Sequence, residues 1–213
     1  MRKARATREL GKHFLHKGKR MKERRWEISP VVARRRELVH DRVMNSIAAS
    51  VKSLHPKKIL DVGTGYGMNL TFLARRFGSS AHIWSVDASP GVVREIKKVM
   101  KKHQYSQHVV VKKASAEQLP FKSNHFDLIV SLFLLHHLSN PRRGLSEMVR
   151  VLSPGGKLII ADWAPAASKP LMLHAQSDMP SPSFVIKQLK RLGYRSKSRI
   201  RRYWYLTETS PPF

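Results

Sequence analysis

Cysteine is absent from all 213 residues. Within this chain that excludes a disulfide framework, a thiolate metal site, an iron–sulfur cluster and a cysteine nucleophile. Acidic residues are scarce too: 14 Asp and Glu against 41 Lys and Arg leave a formal charge of +27. No apolar run approaches the roughly 18–20 residues of a membrane span. The N-terminus has no apolar core of the kind a secretory signal carries, so a cytoplasmic location is expected, with an organelle transit peptide as the competing reading of its Arg-rich, acid-poor start. What is present is ordinary for a folded chain. Hydrophobic residues make up 41 % and charged residues 26 %, a globular balance, and the length suits one domain with a real core.

The positive charge is densest at the two ends. Residues 1–40 carry 14 basic and 4 acidic side chains, residues 164–213 carry 9 and 2, and the longer middle carries 18 and 8. The N-terminal cluster includes Lys17, Lys19, Arg20, Lys22, Arg24 and Arg25, with Phe14 and Trp26 interleaved. The C-terminal cluster includes Lys187, Lys190, Arg191, Arg195, Lys197, Arg199, Arg201 and Arg202, followed by Tyr203, Trp204 and Tyr205. Like charges at this density repel, so a polyanionic partner is expected. Aromatic rings beside cations suit single-stranded RNA, which offers bases to stack and phosphates to neutralise. A solvated basic surface or an anionic membrane surface are the competing readings of the charge. For the rings, the competing reading is an edge strand packed on a core.

The middle of the chain alternates strand and helix patterns. Val39, Val43, Ile47, Val51 and Leu54 recur at the three-and-four spacing of an amphipathic helix, which His55-Pro56 should end. Apolar runs predict strands at residues 58–62, 82–87, 108–111, 126–131 and 157–161. Ser89-Pro90, Asn140-Pro141 and Ser181-Pro182 each read as a helix N-cap followed by proline at the first helical position. Gly193 closes the last of these helices, residues 153–156 (Ser-Pro-Gly-Gly) form a turn, and two short strands follow near 195–200 and 203–208. Apolar strands separated by helices give an α/β fold: a doubly wound, mostly parallel seven-stranded sheet with helices on both faces. The expected layout is a basic N-terminal extension over residues 1–30 and one domain over 31–213.

In such sheets the ligand sits at the carboxyl ends of the strands, where strand order reverses. The first strand runs into Asp61-Val62-Gly63-Thr64-Gly65-Tyr66-Gly67 and then a helix. The glycines permit a tight turn and close backbone approach, and the helix N-terminus offers free N–H groups. Asp87 ends the second strand, where a carboxylate can accept from both hydroxyls of an adenosine ribose. NAD and S-adenosylmethionine both fit that outline, but dinucleotide sites favour G-x-G-x-x-G, whereas this loop is G-x-G-x-G preceded by an acid.

At these residues the chain resembles the class I S-adenosylmethionine-dependent methyltransferases, of the small type 11-like group. Four further stretches are similar to that family's pattern: Ser115-Ala116-Glu117-Gln118-Leu119-Pro120-Phe121, Phe126-Asp127-Leu128-Ile129-Val130-Ser131, Leu135-His136-His137-Leu138, and Val151-Leu152-Ser153-Pro154-Gly155-Gly156-Lys157-Leu158. The likeness covers about residues 56–163, the cofactor-binding core, and more loosely the segments after it. It implies S-adenosyl-L-methionine as cofactor. Asp61 would orient the loop or meet the methionyl ammonium, and Gly63, Thr64, Gly65 and Gly67 would form the cradle. Asp87 would hold the ribose, Ala88, Ala116 and Glu117 would border the adenine, and Ser131 and Phe133 would line the methyl-donor side. Each has a plainer reading, Asp61 as a turn former and Glu117 as a helix cap among them.

A sulfonium methyl is already activated, so the chemistry needs in-line alignment and, for some acceptors, a base. No metal is implied. Without cysteine, methylation of a pyrimidine C5 through a thiol adduct is excluded. The stretch Ser131-Leu132-Phe133-Leu134 also differs from the Asn- or Asp-Pro-Pro-aromatic turn common for exocyclic amines. His136 and His137 are the candidate general bases, since imidazole can take a proton near neutral pH; adjacent helical residues point about 100° apart, so one at most faces the pocket, and His136 is preferred. A capping or surface histidine is the plainer reading of each. The leading expectation is an RNA methyltransferase, its basic ends holding a transfer or ribosomal RNA. The alternatives are a methyltransferase acting on a small molecule (a quinone, lipid precursor or metabolite) and a non-catalytic S-adenosylmethionine-binding protein.

Overall fold

The computed structural model describes residues 30–103, 105, 107–165 and 179–209. The basic extension expected over residues 1–30, with Phe14 and Trp26, lies outside the described residues apart from Pro30.

The first described element is helix α1 (Pro30–Ser50). Its residues Val39, Val43 and Ile47 are buried, as is Val51 just beyond it, so the three-and-four spacing marks the inward stripe. Strand β1 (Lys58–Val62) follows, then α2 (Met68–Phe77), β2 (His82–Asp87), α3 (Pro90–Lys102), β3 (Val109–Lys113) and β4 (Phe126–Leu132). A 3₁₀ turn (Leu135–His137) leads to α4 (Pro141–Val151), β5 (Leu152–Trp163), α5 (Pro182–Arg191), β6 (Ser196–Ile200) and β7 (Trp204–Thr209).

The three cap-and-proline signatures open α3, α4 and α5. Ser89 Oγ accepts from the Val92 N–H at 3.3 Å, Asn140 Oδ1 from Arg143 at 3.1 Å, and Ser181 Oγ from Phe184 at 3.1 Å. Each side chain satisfies one N–H that the first helical turn leaves without an intrahelical partner.

The seven strands form one sheet in the order β3-β2-β1-β4-β5-β7-β6. Strands β1 to β5 pair in parallel, and β7 runs antiparallel to both β5 and β6. Order reverses at β1, which lies between β2 and β4. Successive strand residues point to opposite faces, and two cores result. Ile59, Ile83, Leu128 and Ile159 pack with α1, α2 and α3 on one face. Leu60, Val86, Ile129 and Ile160 pack with α4 and α5 on the other. The doubly wound mixed sheet is the fold expected from the sequence.

Two local expectations are corrected. The turn at residues 153–156 is counted within β5, as an irregularity: Phe126 faces Leu152, yet Leu128 already faces Lys157. Gly155 there has φ 75°. A Cβ on Gly156 would lie 2.8 Å from the Ser153 carbonyl oxygen and 3.0 Å from that of Phe126, so the chain folds on itself too tightly for a side chain. The second correction concerns Trp204 and Tyr205, read either as a base-stacking platform or as part of an edge strand. They belong to β7, an interior strand whose six residues are all buried. The Tyr205 hydroxyl donates to the Pro180 carbonyl at 2.8 Å. The edge strand on this side of the sheet is β6, which carries Lys197 and Arg199, charges of the kind that discourage edge pairing.

Candidate functional site

The loop after β1 is built on left-handed backbone. Gly63, Gly65 and Gly67 have φ of 86°, 49° and 73°, a region in which side-chain-bearing residues are strained. The Gly63 and Thr64 amides donate to the Val86 carbonyl at 2.9 and 3.1 Å, and Gly67 N–H closes on Thr64 at 2.8 Å. A Cβ at Gly67 would come within 2.7 Å of the Ile96 δ-methyl. At Gly65 it would meet only the Gly63 carbonyl oxygen, at 4.0 Å, so this glycine opens onto free space.

Under the loop lies a buried polar chain. Asp61 accepts from Ser85 Oγ at 2.6 Å and from Asn69 Nδ2 at 2.5 Å. Thr64 Oγ1 lies 2.6 Å from Ser85 Oγ. The single Ser85 proton goes to the carboxylate, so Thr64 is the donor in that last bond. Burial pushes the Asp61 carboxyl up to about 7; the Ser85 and Asn69 bonds act in the opposite direction and the Asp87 charge adds to the rise. Of the two roles expected for Asp61, this arrangement supports orienting the loop, since β1, β2 and α2 all meet at its carboxylate.

Asp87 ends β2 and is half-buried. One carboxylate oxygen accepts from the Gly65 N–H at 3.0 Å and the other from the Ser89 N–H at 2.9 Å. The carboxylate is thereby fixed at the lip of the loop, with Ala88 exposed beside it. Each oxygen keeps capacity for a further donor, which is what a ribose diol needs.

The segment after β3 completes the lip. Ala116 is buried, and the Glu117 carboxylate accepts from the Asn140 N–H at 2.9 Å while the Glu117 carbonyl accepts from Arg143 Nε at 2.8 Å. The plainer reading of this glutamate applies to its side chain, which ties the segment to the start of α4.

Beyond β4 the chain turns sharply. Ser131 is buried, and its hydroxyl has no partner among the described residues. Phe133 adopts φ 50°, held by its N–H on the Ala161 carbonyl at 2.7 Å. The next side chain, Leu134, lies over Gly63, whose Cβ would be 3.0 Å from it. Strain of this kind persists only where the surroundings fix it, and it collects at functional sites.

His136 is buried and His137 exposed, as expected of adjacent residues on a helical turn. His136 Nδ1 lies 2.6 Å from Asp162 Oδ1. Asp162, fully buried at the end of β5, also accepts from the backbone N–H of His136 at 3.1 Å and of Trp163 at 2.7 Å. With Nδ1 as the donor, the lone pair of the neutral imidazole is at Nε2. Asp162 was missed from sequence; its signal was an acid closing an otherwise apolar strand, like Asp61 and Asp87. Ser85 and Asn69 carried no such signal.

The expected residues therefore lie at the carboxyl ends of β1, β2 and β4 and in the segments that follow β1, β2, β3 and β4, on both sides of the β1–β4 switch. Among the described residues, no cluster of three or more His, Asp or Glu could hold a metal ion, and no helix is long and apolar enough to cross a membrane.

Residues 60–160 match the family described as "Methyltransferase domain". Among curated relatives, the ubiquinone/menaquinone biosynthesis C-methyltransferase UbiE of Bordetella parapertussis is 32 % identical over 155 residues, 68 % of this chain and 58 % of that protein. The glycine/sarcosine/dimethylglycine N-methyltransferase of Actinopolyspora halophila is 30 % identical over 73 % of this chain and 28 % of its own length. The match thus spans little more than half of the first relative and much less of the second. A SAM-dependent methyltransferase from Aquifex aeolicus superposes with a TM-score of 0.58 at 25 % identity, covering 72 % of this chain and 81 % of that one. Together with the glycine cradle, the acid closing β2 and the sheet order, these likenesses make the chain a member of the class I S-adenosylmethionine-dependent methyltransferase family.

Proposed function

We propose that this chain transfers a methyl group from S-adenosylmethionine to a small-molecule acceptor with a quinone-type ring, and that His136 takes the proton the acceptor releases. The observation that carries the reading is the 2.6 Å His136–Asp162 pair at the carboxyl ends of β4 and β5. A base held in one tautomer suits an acceptor that must lose a proton, as a phenolic oxygen or activated ring carbon does. The curated relatives matched over the core carry the names of small-molecule methyltransferases, which favours this acceptor class over the RNA expected from charge. The burial of Trp204 and Tyr205 takes those two rings out of that expectation; Tyr203 is half-buried, and Phe14 and Trp26 lie outside the described residues.

The cradle fits the donor on its own terms. Gly65 presents bare backbone to open space, and Asp87 retains acceptor capacity beside it. Gly63, Gly65 and the Thr64–Ser85–Asp61 chain would support the methionyl end, Asp87 the ribose, and Ala88, Ala116 and the Glu117 backbone the adenine. When bound, S-adenosylmethionine supplies a methyl carbon that its sulfonium makes electrophilic. Phe133 and Leu134 position the acceptor side and keep water from it. His136 Nε2 accepts the acceptor's proton as the acceptor atom bonds to the methyl carbon. The donor would keep the electron pair of its carbon–sulfur bond and depart as S-adenosylhomocysteine. Asp162 positions the imidazole throughout.

Incubation of the full chain with tritiated S-adenosylmethionine and methoxyhydroquinone, alongside fractionated cellular RNA, tests the acceptor class. Label is expected in the organic fraction; label only in RNA would overturn it. His136→Ala should lower turnover at least about 100-fold and leave S-adenosylhomocysteine affinity unchanged. Asp87→Ala should weaken that affinity about 10- to 100-fold, the range for hydrogen bonds to a charged group.

A further inference from the structure

Helix α1 carries one polar atom that the fold leaves unmatched. His40 Nδ1 is buried and has no hydrogen-bond partner among the described residues, a condition that costs about 1–3 kcal/mol wherever it persists. Buried polar groups are otherwise paired, so each exception calls for a cause. The His40 ring lies 6.1 Å from that of Phe133, and the Phe133 ring lies 4.5 Å from that of Trp163, tilted by 32°. Phe133 is the residue held at φ 50° beyond β4, and Trp163 ends β5 beside Asp162. His40 and Arg36, one turn apart on α1, share a face of the helix, and on that face the His40 ring lies beside the tilted Phe133–Trp163 pair.

We infer that His40, Phe133 and Trp163 form the acceptor's ring seat, with Phe133 and Trp163 supplying the stacking surface and His40 the hydrogen bond that selects a ring bearing a free hydroxyl. The inference rests on the proposed small-molecule reading and adds to it the residue that determines specificity. An aromatic wall alone accepts any planar ring, because stacking discriminates weakly. A site built to hydrogen-bond a hydroxyl rejects the analogue that lacks it far more strongly, since its own polar atom is then left unpaired. His136 serves the reaction; His40 serves selection and takes no proton.

The test uses the full chain saturated with S-adenosylhomocysteine and two probes, 4-methoxyphenol and 1,4-dimethoxybenzene, with binding read by calorimetry. The wild type should bind the phenol about tenfold more tightly, the worth of one hydrogen bond. His40→Phe keeps a ring of similar size and should bind both probes equally, with S-adenosylhomocysteine affinity unchanged. His40→Gln retains a hydrogen-bonding arm and should recover part of the preference, which loss of packing alone would not allow. A preference that survives His40→Phe overturns the inference, as does a wild type that binds both probes alike or neither. Failure of S-adenosylhomocysteine to bind at all would instead overturn the underlying methyltransferase reading.

Discussion

At the scale of single residues, the glycine loop separates two costs that usually travel together. Gly67 and Gly65 both hold left-handed backbone, which costs an L-residue roughly 1–2 kcal/mol. Only at Gly67 would a new methyl also collide, 2.7 Å from Ile96, so Gly67→Ala should lose about 2–3 kcal/mol in urea unfolding. Gly65→Ala should lose only the smaller amount, yet its methyl would stand in the open cradle and weaken S-adenosylhomocysteine binding more than Gly67→Ala does. The same ranking in both measurements would mean that Gly65 does not face the cofactor. Asp61 makes a second prediction, in pH. Its carboxyl is pushed up to about 7 by burial, while in the unfolded chain it titrates near about 4. A raised folded value means its contribution to stability is complete below about 4 and lost as pH rises through about 7. Asp61→Asn removes that slope, so the melting temperature of the variant minus that of the wild type should grow from pH 5 to pH 8; a constant difference would contradict the assignment. These residues were legible because their cause is local: glycine for positive φ, an acid at a strand's end. His40 was not, since only the packing of α1 against the end of β4 gives it a meaning.

At the scale of elements, α4 does more than cover one sheet face. Arg150 grips Glu147 with two bonds of 2.7 and 2.8 Å and donates to the Phe121 and Leu119 carbonyls at 2.8 and 3.0 Å. Glu147 in turn accepts the Leu119 N–H at 2.7 Å. The helix therefore holds the segment following Ala116, on the adenine side of the candidate site. Lysine has no fork with which to reach both partners, so Arg150→Lys should cost about 1 kcal/mol at this half-exposed position. It should also speed hydrogen exchange at the Leu119 amide; unchanged exchange would show that the segment is held by other contacts. The helix starts were readable from three cap-and-proline pairs because capping is settled within four residues. The irregular start of β5 was not. Ser-Pro-Gly-Gly carries a correct turn signal, and only the partner strand decides that pairing resumes at Lys157 opposite Leu128. The same holds for β7, whose insertion between β5 and β6 turns Trp204 and Tyr205 from apparent edge residues into core.

At the scale of the whole molecule, a formal charge of +27 must be contained where strands crowd. Glu208, buried on β7, lies 2.9 Å from Lys157, 3.5 Å from Lys197 and 3.6 Å from Arg199. Lys157 and Arg199 also donate to the Ser50 carbonyl and hydroxyl, so this single carboxylate joins β5, β6 and β7 to the end of α1. Burial alone would raise its carboxyl, but the bonds from Lys157 and Ser50 and the charges of Lys157 and Arg199 outweigh it and hold the group below its ordinary range. Its contribution is therefore present at neutral pH and lost as pH falls below the ordinary glutamate range. Glu208→Gln leaves three cations facing one another and should cost about 3 kcal/mol, as removal of one partner from a buried pair does. Repulsion among exposed cations is screened by salt, whose Debye length falls from about 14 Å at 50 mM to about 4 Å at 500 mM. Sodium chloride over that range should therefore raise the melting temperature of the wild type and raise that of Glu208→Gln further. Equal increments in the two proteins would mean that the three cations do not meet at Glu208, and that the excess charge is dispersed over the surface instead.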